Sequence, residues 1–98
     1  MLVKIHKAYR DVIAICDSDL IGKKFEDGKK QIDLTGNFFK GEEKNEEEVK
    51  DIMRAGSEED ACFNIVGKQA CQLAKEEGII KEEGIKQISN VDVALGLL

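Results

Sequence analysis

The 98-residue sequence predicts a single α+β domain: an antiparallel β-rich N-terminal half, two amphipathic helices and one or two C-terminal strands. Three observations predict it. Period-two alternation and β-branched runs occupy much of residues 2–34, as pleated strands require. Two stretches, from Asn45 to Gly56 and from Asn64 to Gly78, carry apolar residues at helical spacing between polar caps and glycines. Short Ile- and Val-rich runs then return near the C-terminal end.

Each element has its own reason. Val3, Ile5 and Lys7 alternate with Leu2, Lys4 and His6, the pattern of a half-buried strand. Tyr9-Arg10-Asp11 reverses the chain into Val12-Ile13-Ala14-Ile15-Cys16, a continuous apolar run that suits a central strand covered on both faces. An antiparallel hairpin is the simplest assembly of the two. Asp17-Ser18-Asp19 offers an N-cap to a single turn through Leu20 and Ile21, closed by Gly22 with positive φ. Asp27-Gly28 is the strongest hairpin signal in the chain, and the alternating residues 29–34 follow it. Phe38-Phe39-Lys40-Gly41 reads as a loop. Asn45 with Glu48 three residues on is a capping-box variant, Val49, Ile52 and Met53 form the helix stripe, and Gly56 is its expected stop. After polar Ser57-Glu58-Glu59-Asp60 and the short apolar Ala61-Cys62-Phe63, Asn64 is expected to cap a second helix containing Val66, Ala70, Leu73 and Ala74. Gly78 ends that helix, Ile79-Ile80 packs back, and Gly84 precedes the terminal strand runs 85–88 and 91–95.

Hydrophobic residues at 42% and charged residues at 36% supply a core and a densely charged surface, which excludes wholesale disorder. No apolar run approaches the roughly 18 residues of a membrane span, and the first residues lack the apolar stretch of a signal peptide. The expectation is a cytoplasmic protein with no membrane partner. A net charge of −5 argues against uniform coating of nucleic acid. The charge is uneven, however: residues 1–40 hold eight basic groups against six acids, and residues 41–98 hold seven against fourteen. Such polarity can turn the basic half toward an anionic partner. Three cysteines without short paired spacing are poor material for a disulfide framework. The chain has no Pro, the commonest rigid loop device, while abundant Lys, Glu and Ile without Trp suggest the intracellular proteins of hot-growing prokaryotes, where ion-pair networks are favoured.

Every chemistry-bearing pattern also has a plainer structural reading. Cys16, Cys62, Cys71 and His6 could supply four metal ligands, but no Cys-x-x-Cys or His-x-x-x-His spacing occurs. Burial as small apolar side chains is the expectation for the cysteines, with no metal and no cofactor. His6, the one histidine, could serve as base to a cysteine nucleophile, but no third orienting group is legible, so no catalytic residue is assigned. The acids from Glu42 to Glu48 could attract a cation, yet they run into a helix start where acids complement the dipole. Asn64-Ile65-Val66-Gly67-Lys68 is the most informative segment. A helix N-terminus with Asn64, Gly67 and Lys68 could bind an anion or phosphate, because Lys is an unusual first-turn residue. The plainer reading is an Asn cap with Gly for close packing, and the P-loop pattern is missing. Phe38 and Phe39 beside Lys40 could stack on bases or fill a core, and Lys23 and Lys24 extend the same basic half.

Cys16-Asp17-Ser18-Asp19-Leu20-Ile21-Gly22-Lys23, Phe38-Phe39-Lys40-Gly41-Glu42 and Asn64-Ile65-Val66-Gly67 together resemble a small archaeal family of about one hundred residues, a conserved domain of unknown function. The resemblance implies an intracellular archaeal protein and no established reaction. The leading functional expectation is a non-enzymatic binding module, an accessory to RNA, a ribonucleoprotein or the translation machinery. Its sites would be Asn64, Gly67, Lys68, Phe38, Phe39, Lys40, Lys23 and Lys24. The alternatives are a small enzyme or binding protein for a phosphorylated metabolite, and a subunit that docks its acidic half on a basic partner. A monomer is expected over a homodimer.

Overall fold

Alternation sorts the strand residues between two faces, and in the computed structural model, which describes residues 1–95, both faces are used. The strands are β1 (Leu2–His6), β2 (Val12–Cys16), β3 (Lys24–Asp27), β4 (Lys30–Asp33) and β5 (Glu42–Glu43). After helix α1 (Glu46–Glu58) come β6 (Cys62–Val66), helix α2 (Lys68–Glu76), β7 (Lys86–Ile88) and β8 (Val91–Leu95). Six strands form one sheet in the order β5-β1-β2-β6-β8-β7, while β3 and β4 form a separate hairpin. All neighbours are antiparallel except β2 and β6, which run parallel with Val12 opposite Cys62 and Cys16 opposite Val66. A parallel pair needs a long crossover, and the chain between β2 and β6 includes α1.

One sheet face carries Val3, Ile13, Ile15, Phe63, Ile65 and Ala94 against Val49 and Met53 of α1 and Ala70, Leu73 and Ala74 of α2. On the opposite face, Ala14, Cys16, Val66 and Val93 pack against Ile32, Leu34 and Phe39. Strand β2 is therefore covered on both sides, as its unbroken apolar run predicts. The hairpin forms at the expected place, with Gly28 at φ 65° in its two-residue loop. Two C-terminal strands pair through Ser89 and Asn90, both at positive φ in the manner of a type I′ turn.

Two boundaries differ from the sequence reading. Gly56 does not end α1. It lies inside the helix, where an added Cβ would stand 2.6 Å from Ile13 Cδ1 and 3.0 Å from Phe63 Cζ, so it serves close helix–sheet packing. The helix ends at Glu58 and is closed by Asp60 (φ 58°), whose N–H bonds Ser57 O while Ala61 N–H reaches Gly56 O, a Schellman closure. Asn64 is not a helix cap either. It sits mid-strand in β6, opposite Ala14 and Leu95, and α2 begins after Gly67. Strand β6 is buried on both faces, so its apolar run lacks the alternation that would have marked it as a strand.

Candidate functional site

Beyond the part of the second face that the β3–β4 hairpin covers, β1 leaves His6 partly exposed beside a loop that returns along its edge. Phe38 in that loop keeps 44% of its surface exposed and stacks on the His6 imidazole, with centroids 4.4 Å apart and planes 16° from parallel. Phe39, its neighbour, is buried in the second core layer and meets Phe38 edge-on at 5.1 Å. The adjacent pair thus divides its labour: Phe39 anchors the loop and Phe38 is presented. Two β1 side chains hold the presentation in place. Lys4 Nζ donates to Asn37 O at 2.9 Å, and His6 Nε2 lies 2.9 Å from Phe38 O. Because a carbonyl only accepts, Nε2 carries the hydrogen in this contact. A side chain at Gly41 would collide with the Val3 carbonyl, so glycine lets the loop close onto the strand. Lys40 is exposed between Phe39 and Gly41.

The expected anion site has a different construction. Parallel register sets Asp17, just past β2, beside Gly67, just past β6. Asp17 Oδ2 accepts from Gln69 N–H at 3.0 Å and Oδ1 from Ala70 N–H at 2.8 Å. These are the donors at the start of α2 that an external anion would need. Gly67 has no side chain with which to cap them, and at φ 113° any side chain would strike the Asp17 carboxylate. Asp17, 8% exposed, therefore does for α2 what Asn64 was expected to do. Burial pushes its carboxyl above the ordinary aspartate value, against the two N–H bonds that pull it down. Lys68 points into a separate groove that Lys75, Glu82 and Asp92 also line. Lys23 and Lys24 belong to the hairpin region, where Lys24 pairs with Glu26 at 3.1 Å and β3 packs against β7, at the sheet edge opposite β5. The structure does not bring these lysines to Phe38. Asp17 could have been suspected from an acid directly after one buried run and a glycine directly after another, but only the parallel pairing links them.

Residues 6–96 match the family described as protein of unknown function (DUF424). The chain belongs to this family. No curated protein matches it. The DUF424 chain shares its fold with the crystal structure of an uncharacterized conserved protein from Methanopyrus kandleri, at a TM-score of 0.80 and 24% identity. That likeness covers 95% of this chain and 86% of the other.

Within this DUF424 chain, the three segments that carried the resemblance converge. Asp17 N–H bonds Val66 O at 3.0 Å, Cys16 and Val66 share a core layer with Phe39, and Glu43, one residue past the second segment, accepts from Ser18 Oγ at 2.5 Å. Of the three, the segment 64–67 leads into α2, and the Asp17 segment reaches the start of that helix through the bonds from Gln69 and Ala70. The remaining candidates resolve individually. Burial pushes the Cys16 and Cys71 thiols up to about 12, which leaves them as apolar filling. His6 and Cys62 stand on opposite sides of β2, roughly 10 Å apart by strand spacing. Among the described residues no group of three or more His, Cys, Asp or Glu could hold a metal ion. Likewise, no helix among them is long and apolar enough to cross a membrane. The acids at 42–48 have local work: Asn45 and Glu48 close the capping box, Glu46 and Glu47 face Lys50, and Glu42 faces Lys44.

Proposed function

We propose that this chain is a non-enzymatic RNA-binding module, an accessory to RNA or translation machinery in the cytoplasm of an archaeal cell, and that it grips single-stranded RNA at the Phe38 platform. The observation that carries the reading is the exposed Phe38–His6 stack, pinned to β1 through the Asn37 and Phe38 carbonyls. Single-strand binders pair aromatic faces with cations, because every base has a π-face and every linkage a phosphate. Here Lys4, bonded to the Asn37 carbonyl, and exposed Lys40, two residues after Phe38, supply the cations. Pinning the loop before binding lowers the ordering cost that a mobile aromatic would add.

Fluorescence anisotropy of a labelled oligouridylate across a salt series tests the reading. Wild-type protein should bind at micromolar concentration with an affinity that falls steeply as salt rises. Phe38→Ala should weaken binding by about 1–3 kcal/mol, the range for loss of one stacked base. Absence of any salt-sensitive complex, or undiminished binding by Phe38→Ala, would refute it.

A further inference from the structure

We propose that an open cleft at the carboxyl ends of both helices is a second binding site, for a small organic molecule with an apolar body and a single anionic group. The cleft encloses about 460 Å³, within the range of small-molecule sites. Its apolar lining includes Ala61, Phe63, Ile79, Ile80, Ala94 and Leu95. Arg10, Lys81, Ser57 and Asp60 add polar groups to that lining.

Three features make this a built site. The walls are fixed, because each helix ends in a Schellman closure whose residues line the cleft. In α1 these are Asp60 and Ala61, and in α2 Gly78 N–H bonds Lys75 O while Ile79 N–H bonds Ala74 O. Arg10 is also left available by its own turn. The adjacent carboxylate, Asp11, is occupied by Lys7 Nζ at 3.0 Å and Ala8 N–H at 3.3 Å. Among the described residues, Arg10 and Lys81 have no acidic partner, whereas Arg54 is held by Glu77 through two hydrogen bonds. The third feature is charge. Among the lining side chains, two cations stand against the single Asp60, in a protein whose total charge is −5. The negative ends of the two helix dipoles, roughly half a charge each, attract those cations and oppose an anion, so the anionic group is held by Arg10 and Lys81 acting together. A guanidinium fork matches a carboxylate, sulfonate or phosphate oxygen pair, while the Ile79–Ile80 wall accepts the apolar body. The cleft shares neither Phe38 nor Lys40 with the RNA platform, so the two readings stand or fall separately.

Two probes of matched shape separate the anionic handle from simple greasiness: anilinonaphthalene sulfonate and the uncharged N-phenylnaphthylamine. Fluorescence titration gives affinities, and amide shifts in nitrogen-15 NMR spectra of the folded protein locate the site. The sulfonate should shift Arg10, Ile79, Ile80 and Lys81. Arg10→Gln should raise its Kd by about five-fold or more while leaving the neutral probe within about two-fold. Lys81→Gln, a surface change in the same cleft, should act in the same direction, and Lys68→Gln, outside it, should have no effect. Shifts confined to other surfaces, no sulfonate binding, or equal losses for both probes in Arg10→Gln would each overturn the proposal.

Discussion

Asp17 shows how much one side chain can decide. Its two oxygens replace the missing cap of α2, so Asp17→Ala leaves two helix-start N–H groups without their partner, that of Gln69 in a part-buried and that of Ala70 in a buried setting. The expected loss is about 1–3 kcal/mol, read as a lower denaturant midpoint with an unchanged m-value. Asp17→Asn keeps one acceptor oxygen and should lose less. The same group gives a signed pH effect. Its folded-state titration lies above the ordinary aspartate value because of burial, so folded protein holds a proton that the unfolded chain has already released. That contribution is complete below the ordinary value and is lost as pH rises through the folded one. Glu77 behaves oppositely: its hydrogen bonds from Arg54 hold it below the ordinary glutamate value, so its contribution is present above that value and lost as pH falls. Carboxyl-carbon NMR titration should place the Asp17 midpoint above the usual aspartate range and that of Glu77 below the glutamate range. Reversed displacements would contradict the burial account.

At the scale of elements, two glycines that read alike in sequence do different work. Gly56 is a helical residue whose absent side chain lets α1 approach Ile13 and Phe63. An alanine there gains helix propensity of about 1 kcal/mol but must push back the flexible tip of Ile13 and the Phe63 ring. Gly67 combines φ 113° with direct obstruction by Asp17, and neither can relax without releasing the cap. Gly67→Ala should therefore cost about 2 kcal/mol or more and clearly exceed the cost of Gly56→Ala. Thermal unfolding of the two variants side by side checks the order. Strand β6 shows why such positions were misplaced. With both faces buried, Cys62–Val66 has no polar alternation, and Asn64 in its middle imitates a cap.

Over the whole molecule, the fold sets apart two groups that the functional reading of the sequence had joined in one binding set. Phe38 and Lys40 lie on the loop along β1, whereas Lys68 opens α2 and lines a groove beside β7 and β8. Lys40→Glu should weaken oligouridylate binding and flatten its salt dependence by about one phosphate contact. Lys68→Glu should leave that binding within about two-fold. Its stability should change little, because the new acid suits a helix start but meets the Asp17 carboxylate already there. Equal RNA losses in both variants would mean that the interface spans the groove as well.

Local physics made much of this legible. Val12–Cys16 declared a strand covered on both faces, Asp27-Gly28 a hairpin, Asn45 with Glu48 a capping box and Gly78 a helix end, because each depends on neighbours in the chain. The α+β class followed from the same segments, while the resemblance to a small archaeal family of unknown function rested on residues 16–23, 38–42 and 64–67, and residues 6–96 match DUF424. Tertiary structure alone decided which run beside Asn64 was strand, which carboxylate capped α2 and which of two phenylalanines faced outward. Those outcomes depend on residues 52 and 53 positions apart, as in the bonds from Gln69 and Ala70 to Asp17, or 32 apart, as between His6 and Phe38. Local periodicity carries no record of such partners, because the parallel crossover and the returning loop bring them together only once the sheet has formed.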